Sequence, residues 1–584
     1  MNHPTPTRSG LSLRMGNFQT LTEALDYAAT GATGINIYAS NGTMNEQATY
    51  AQLAQDAQDL ARSLVSFAPR GTLIGILAQT SIDFAKTFFA CQYAGLVPVP
   101  MPLPTTMGGR ETYEHQIRKM VSAADIKALF APSKLIEIAK GAMAPINVPV
   151  LDLTNPDLGF ERGDLRPHAA DDLCYIQYSS GSTNDPKGVI GTQESVTANC
   201  KGIIASGLQV RDGDRAASWL PLYHDMGLIG FLIAPILSQL SLDMMEPSSF
   251  ARRPLTWLDL MTRNQGTLSY SPSFGYELCV KRWRNDRQFD LSSWRAAGIG
   301  GDMVRAEVLR EFASTFADHG FSERAFVPSY GMAEATLAIT FSPLDSPLKT
   351  DTVDNDRLGR TGEAIQASDL TKSGQERTFV ACGEVLPDHQ AEIRDENGRP
   401  LGERMVGRIC VRGPSVTPGY YQNEQATQDA FTEDGWLETG DLGYWLDGQI
   451  VVTGRSKDLI LWHGKNIWPQ DLEWAAEEAV NGRIGRLAAF ATAEDDGTDA
   501  IRLLIECRSR DPENLHIVHS AASSAVRAVA GVPVDVKLVP LSSLVVTSSG
   551  KISRARARTK FLSGGFEDLL DSSRKAMERV ADVR

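Results

Sequence analysis

The chain has 584 residues, 42% of them hydrophobic and 22% charged, and a formal net charge of −14 at neutral pH. That length exceeds one hydrophobic core and predicts about three or four folding units of an ordinary soluble protein. The acidic balance argues against a general nucleic-acid binder, so an anionic ligand would need a local cluster of cations or a metal ion.

Seven cysteines (Cys91, Cys174, Cys200, Cys279, Cys382, Cys410 and Cys507) are scattered without a C-x-x-C pair. Their odd number argues against a disulfide framework, and their apolar surroundings predict buried, reduced thiols. The start, Met1-Asn-His-Pro-Thr5, lacks the apolar core of a signal peptide, and the longest apolar run, 226–240, contains Pro235 and Gln239. That run is too short to span a bilayer, so the expectation is a cytoplasmic protein with no transmembrane segment.

In chain order, residues 73–78 read as a buried strand. Ser81 is placed to cap a helix over 82–94, Gly95 to end it, and residues 96–99 to return as a strand. Further strands at 127–131 and 148–153 alternate with helical segments, which predicts a layered α/β architecture with mostly parallel sheets. Another strand, 173–178, leads into Tyr178-Ser-Ser-Gly-Ser-Thr-Asn-Asp-Pro-Lys-Gly188. There Ser179, Ser180, Ser182 and Thr183 surround Gly181, and Lys187 follows Pro186. Glycine admits close approach of backbone amides, hydroxyls donate hydrogen bonds and lysine adds charge, so the loop is suited to a polyphosphate. Its spacing is not that of a Walker loop, and an ordinary Ser/Gly turn is the plainer alternative. Residues 343–376 turn polar and offer little for a core, which predicts a surface excursion. From 455 onward a separate small α+β unit is expected, with helices at 469–480 and 515–530 and strands at 487–492, 501–507 and 534–539. The charged tail after Phe566 reads as a helix or frayed end.

Five more segments follow in order: Trp219-Leu-Pro-Leu-Tyr-His-Asp-Met-Gly-Leu-Ile-Gly230, Gly300-Gly-Asp-Met-Val-Arg305, Pro328-Ser-Tyr-Gly-Met-Ala-Glu-Ala-Thr336, Trp436-Leu-Glu-Thr-Gly-Asp-Leu-Gly443 with Thr453-Gly-Arg-Ser-Lys-Asp458, and Thr547-Ser-Ser-Gly-Lys551. Together with the phosphate loop they resemble the adenylate-forming ligases, the superfamily of acyl-CoA synthetases, peptide-synthetase adenylation domains and luciferase, over residues 49–558. The wording of Tyr223-His-Asp-Met-Gly-Leu228 and Tyr330-Gly-Met-Ala-Glu-Ala-Thr-Leu337 is similar to that of the fatty acyl-AMP ligases. The polar 343–376 segment falls where those ligases carry an insertion thought to keep the C-terminal domain from the pose that accepts coenzyme A.

The resemblance implies an N-terminal adenylation domain over 1–455, a mobile C-terminal lid over 456–584, and ATP and Mg²⁺ as cofactors. Ser179, Ser180, Gly181, Ser182, Thr183 and Lys187 would hold the β and γ phosphates. Gly300, Gly301 and Asp302 would line the base, and Ser329, Tyr330, Gly331 and Met332 would carry the ring that stacks on adenine. Asp441, aided by Arg455, would accept the ribose hydroxyls. Glu334 would help hold Mg²⁺, a hard cation suited to carboxylate and phosphate oxygens. Lys457 matches the hinge position. Lys551 is the expected catalytic residue, stabilising charge on the departing pyrophosphate, with His224 near the acyl carboxylate. Tyr223, Met226, Gly227, Leu228 and Gly230 would line the acyl pocket, although the run 228–240 reads equally as plain core.

Some positions depart from the pattern. Val545 and Val546 stand where a Pro-Lys or Pro-Arg pair is usual, Lys465 and Trp468 replace arginine and tyrosine, and Gly301-Asp302-Met303 replaces Ala-Glu-Pro. None removes a charge the reaction needs. The implied activity is formation of a fatty acyl-adenylate with release of pyrophosphate, then transfer to the thiol of a separate acyl carrier protein. The alternative is a fatty acyl-CoA synthetase, with an amino-acid adenylation unit and an inactive binding protein as further rivals. The basic run 551–560 reads either as a solvated face or as a surface steering an acidic carrier protein.

Overall fold

The computed structural model describes residues 3–104, 109–155, 158–159, 161–178, 186–371, 375–480, 482, 484–493, 499–547 and 551–573. The expected β-α-β unit is present. Strand Leu73–Leu77 feeds helix Ile82–Ala94, whose N-cap Ser81 accepts from the Phe84 amide. The helix stops at Gly95, which turns left-handed at φ 69°, and strand Val97–Met101 returns parallel to the first. With Ala128–Ala131 and Val150–Asp152 these strands form a four-stranded, wholly parallel sheet.

A nine-stranded sheet forms the centre of the large N-terminal region. Strands Gly34–Tyr38, Arg215–Ser218, Ser241–Met245, Leu268–Ser271, Ala296–Ile299 and Phe326–Gly331 run parallel to their neighbours. Antiparallel strands finish both edges, Met44–Thr49 on one side and Ala338–Phe341 with Glu384–Val385 on the other. The carboxyl ends of the parallel strands therefore open on one side, where ligands of open α/β sheets bind. Strand Leu173–Tyr178 joins neither parallel sheet. It pairs antiparallel with Gly188–Thr192. Residues 179–185, which carry Ser179, Ser180, Gly181, Ser182 and Thr183, lie outside the described residues.

Strands Gln390–Arg394, Gly407–Arg412, Leu437–Leu446 and Gln449–Arg455 form an antiparallel sheet ahead of the smaller C-terminal domain. That domain has its own apolar cluster, which includes Leu472, Leu503, Val518 and Leu538. Helices Pro469–Val480 and Pro512–Ala530 pack on strands Ile484–Ala493, Asp499–Cys507 and Asp535–Pro540, close to the expected bounds. Residues 574–584 of the tail lie outside the described residues.

The polar 343–376 segment departs from expectation. It contains strand Thr350–Asp354 and helix Asn355–Thr361, and Val353, Leu358 and Ala364 are fully buried against Phe379, Tyr444 and Trp468. A few apolar side chains at the right spacing suffice for a small core when neighbouring strands supply the other wall. All seven cysteines are buried and free. No helix among the described residues is long and apolar enough to cross a membrane.

Candidate active site

Two cavities meet at the carboxyl ends of the central strands. The larger, about 370 Å³, lies between the large region and the C-terminal domain and is the more polar of the two; Gly301, Asp302, Tyr330, Asp441, Arg455 and Lys551 are among its walls. The smaller is apolar and runs back along the strands past Tyr270, Phe231 and Phe341 to Leu268 and Ala216. Gly301, Ser329, Tyr330 and Gly331 border both.

The polar cavity is built from pairs fixed by the fold. Asp441 and Arg455 face each other across adjacent strands, with Arg455 Nε 3.3 Å from Asp441 Oδ1. Gly440 precedes Asp441 at φ 76°, a turn that favours glycine. Tyr330 donates its hydroxyl to Asp441 Oδ2 at 2.8 Å, so ring and carboxylate form one rigid wall. Burial pushes the Asp441 carboxyl up, against the opposing pull of Arg455, Tyr330 and Lys551. Gly301 is left-handed, at φ 76°, and its carbonyl accepts a hydrogen bond from Lys551 Nζ. The lysine is held by a short hairpin in which the Thr547 amide donates to the Lys551 carbonyl at 2.8 Å; residues 548–550 of that loop lie outside the described residues. Cys382 also lines this cavity.

Glu334 sits on a short turn beyond strand Phe326–Gly331. Its Oε1 accepts from the Tyr420 hydroxyl at 2.8 Å, and its backbone carbonyl accepts from the Thr417 amide at 2.8 Å. Two residues on, Thr336 is held at φ 68°, rare for a β-branched residue, by a 2.8 Å bond from its hydroxyl to Ser415 O. Lys187 Nζ lies 4.7 Å from the centre of the Tyr420 ring, so Lys187 and Glu334 converge on one tyrosine. No cluster of three His, Cys, Asp or Glu among the described residues could hold a metal ion alone. A single buried carboxylate near a lysine nonetheless fits Mg²⁺, which takes one or two carboxylates and completes its shell with substrate phosphates.

Two π-helical segments, Gly202–Gly207 and Ile229–Ile233, contribute Ile203, Ile204, Gly230 and Phe231 to the apolar pocket. Such wide turns concentrate at functional sites. Gly298 leaves room for the Tyr270 ring; a Cβ there would come within 2.0 Å of it. Asp225 stands at the mouth of this pocket, its carboxyl pushed up by burial against the pull of the Met226 amide and Lys551.

Of the residues expected to line an acyl pocket, Met226 and Gly230 do so. Leu228 is core, Gly227 makes a close turn against Pro221 O, and Tyr223 packs beside His224 with ring centres 4.7 Å apart. His224 occupies the N-cap of helix Asp225–Leu228, one residue from the pocket-lining Asp225. Gly300 borders the apolar pocket and Asp302 the polar one, where Asp302 Oδ1 accepts from the Met303 amide at 2.8 Å. Met332 lies just past the shared wall, its amide bonded to Leu337 O at 2.8 Å. Lys457 follows strand Gln449–Arg455 in a short turn at the start of the C-terminal domain. Sequence reasoning missed Asp225, Tyr270 and Phe341 as pocket residues, while Phe231 lies in the run 228–240 that reads as either tunnel wall or core.

A nucleotide-sized polar cavity, an apolar pocket sharing its wall and a lysine at their junction define an adenylate-forming ligase. The chain belongs to the AMP-binding enzyme family, whose model matches residues 28–421. It is 46% identical to a Caulobacter vibrioides protein provisionally named an acyl-CoA synthetase, over 97% of this chain and 99% of the relative. It is 30% identical to the Moorena producens medium-chain-fatty-acid–[acyl-carrier-protein] ligase JamA, over 94% of this chain and 96% of the relative. A solved structure from work on the fatty acyl-adenylate ligases of E. coli and L. pneumophila matches 95% of this chain and 99% of its own, with 40% identity and a TM-score of 0.89.

Proposed function

We propose that the protein activates a fatty acid with ATP to give an acyl-adenylate and pyrophosphate, then hands the acyl group to the thiol of an acyl carrier protein, the acyl–phosphate bond breaking to release AMP. The observation that carries this reading is the shared wall of the two cavities, with Lys551 bonded to the Gly301 carbonyl where they meet.

Tyr330 would stack on adenine while Asp441 and Arg455 hold the ribose. Lys187 and the loop that includes Ser179, Ser180, Gly181, Ser182 and Thr183 would hold the β and γ phosphates. Glu334 would hold Mg²⁺, which when bound neutralises phosphate charge. A carboxylate oxygen of the fatty acid forms a bond to the α-phosphorus, and the bond from that phosphorus to the pyrophosphate oxygen breaks. Lys551 meets the charge that gathers on the leaving group. A cation already aimed at that charge favours the transition state over the ground state.

The acyl chain would lie in the apolar pocket. Leu268 and Tyr270 of strand Leu268–Ser271 would flank it. The name of the Moorena relative supports medium-chain acids as substrates.

The carrier-protein acceptor is supported by contacts between the polar insertion and the C-terminal domain. Lys465 Nζ pairs with Asp356 Oδ1 at 2.8 Å, and Asn355 Nδ2 donates to Asp471 Oδ2 at 3.2 Å. The Caulobacter relative's name favours a second reading, transfer to coenzyme A. Mass spectrometry of products from ATP, Mg²⁺ and acids of 6 to 18 carbons, with and without coenzyme A, tests both. Acyl-adenylate from medium chains without acyl-CoA is expected. Efficient acyl-CoA formation overturns the carrier-protein reading, and absence of any adenylate overturns the activity.

A further inference from the structure

The turn that ends at Gly301 continues four residues to Arg305, the N-cap of helix Ala306–Phe316. The backbone of Arg305 is pinned, since its amide donates to Ser273 Oγ at 3.2 Å and that hydroxyl donates to Met303 O at 3.3 Å. Its guanidinium leaves the large region and reaches helix Pro469–Val480 of the C-terminal domain. There Nη1 lies 3.2 Å from Glu477 Oε2, and the guanidinium carbon sits 5.4 Å from the centre of the Trp474 ring. One turn earlier on the same helix, Glu473 takes two bonds from Arg554, Nε at 2.8 Å and Nη2 at 2.6 Å. Arg554 also reaches Asp458 at 2.7 Å and lies three residues after Lys551. One helix therefore grips the large region through Arg305 and fixes the base of the lysine loop through Arg554.

We propose that Arg305 is a positioning residue for adenylation, latching the C-terminal domain through Trp474 and Glu477 in the pose that carries Lys551 to Gly301. The proposal rests on the adenylate-forming reading of the same site.

Isolated surface ion pairs contribute little. This one differs in three respects. The Arg305 side chain is only 20% exposed, its charge is stacked on an indole, and it is held on its own side by Glu307 at 3.2 Å and Glu277 at 4.0 Å. Those carboxylates orient the guanidinium before the domains meet, so less freedom is lost on docking. Without the arginine, Glu277 and Glu477 would face each other and repel, so its removal turns an attraction into a repulsion. A latch of this kind changes the fraction of molecules with Lys551 in place, and turnover scales with that fraction while ATP affinity need not.

The test compares wild type with Arg305→Ala, Arg305→Lys, Trp474→Ala and the Arg305→Ala/Trp474→Ala pair. Pyrophosphate release is measured with an accepted fatty acid and with hydroxylamine to clear the adenylate, and ATP affinity by direct titration. Arg305→Ala is expected to lower turnover about 10- to 100-fold with the ATP dissociation constant changed less than about threefold. Arg305→Lys should recover to within about fivefold of wild type, and the double variant should match the worse single variant within about twofold, as one shared contact requires. Solution scattering should show a larger maximum dimension for Arg305→Ala, a readout that stands even if no acid is turned over. A wild type that releases no pyrophosphate with any acid refutes the functional reading instead. Wild-type turnover in Arg305→Ala, losses that multiply in the double variant, ATP affinity lost in parallel with turnover, or unchanged scattering would overturn the latch.

Discussion

Replacing Lys551 with alanine separates the two halves of the proposed reaction. Lys551 is exposed at the cavity edge, so an effective dielectric near that of a protein surface applies. Two unit charges 4 Å apart then attract by about 4 kcal/mol. If half a unit of charge gathers on the leaving oxygen between ground and transition state, the differential gain is about 2 kcal/mol. A hydrogen bond from the ammonium to that growing charge adds about 1.5 kcal/mol. The sum of about 3 to 4 kcal/mol corresponds to two or three decades in rate. Lys551→Ala should therefore slow pyrophosphate release about 100- to 1000-fold, as loss of one such donor typically does. Consumption of preformed acyl-adenylate by a thiol acceptor breaks a different bond and should stay within about threefold. Quenched-flow measurement of pyrophosphate and of acyl product reads each half. A variant that keeps more than about a tenth of wild-type release, or loses both halves equally, would refute the reasoning.

Three other outcomes are expected. Asp441 must be ionised to accept the ribose hydroxyls, and its carboxyl is raised by burial, so ATP affinity should fall as the solution is acidified through that raised value. Asp441→Asn should weaken ATP at neutral pH and flatten this dependence, read by nucleotide titration between pH 4.5 and 8; an unchanged profile would contradict it. A Cβ at Gly230 would stand 3.3 Å from Leu337 Cδ2, so Gly230→Leu must project into the apolar pocket. Each excluded methylene is worth about 0.8 kcal/mol, so preference should move toward shorter acids in a competition assay, and an unmoved profile would place the acyl chain elsewhere. Glu334→Gln should raise the Mg²⁺ concentration for half-maximal rate at least about tenfold with fatty acid KM unchanged, by metal titration; an unshifted midpoint would remove Glu334 as a ligand.

What was legible in the sequence was local or carried by spacing. Ser81 and Gly95 bound their helix because capping depends on neighbours a few residues away. Asp441, Tyr330 and Lys551 could be named because each stands in a short segment of unusual composition, and the structure brings them to one cavity. The acyl pocket was less legible. Its walls come from strands, π-helical turns and the antiparallel edge, and Tyr270 and Phe341 look like any core aromatic until strand order places them side by side. The fold of the polar insertion was hidden because Val353 and Leu358 find their partners far along the chain. Arg305 was quoted only as the end of a glycine turn, since Trp474 and Glu477 reach it from another domain.

An acyl-adenylate is a strong electrophile, and the thiolate is the form of cysteine that would attack it. Cys382 borders the very chamber where that mixed anhydride would form, yet burial pushes its thiol up to about 12 and its sulfur faces Val380 O at 3.7 Å. At neutral pH it stays protonated. Under the proposed reading the chain would make a thiol-reactive product without acylating itself, and delivery would be reserved for a sulfur brought from outside.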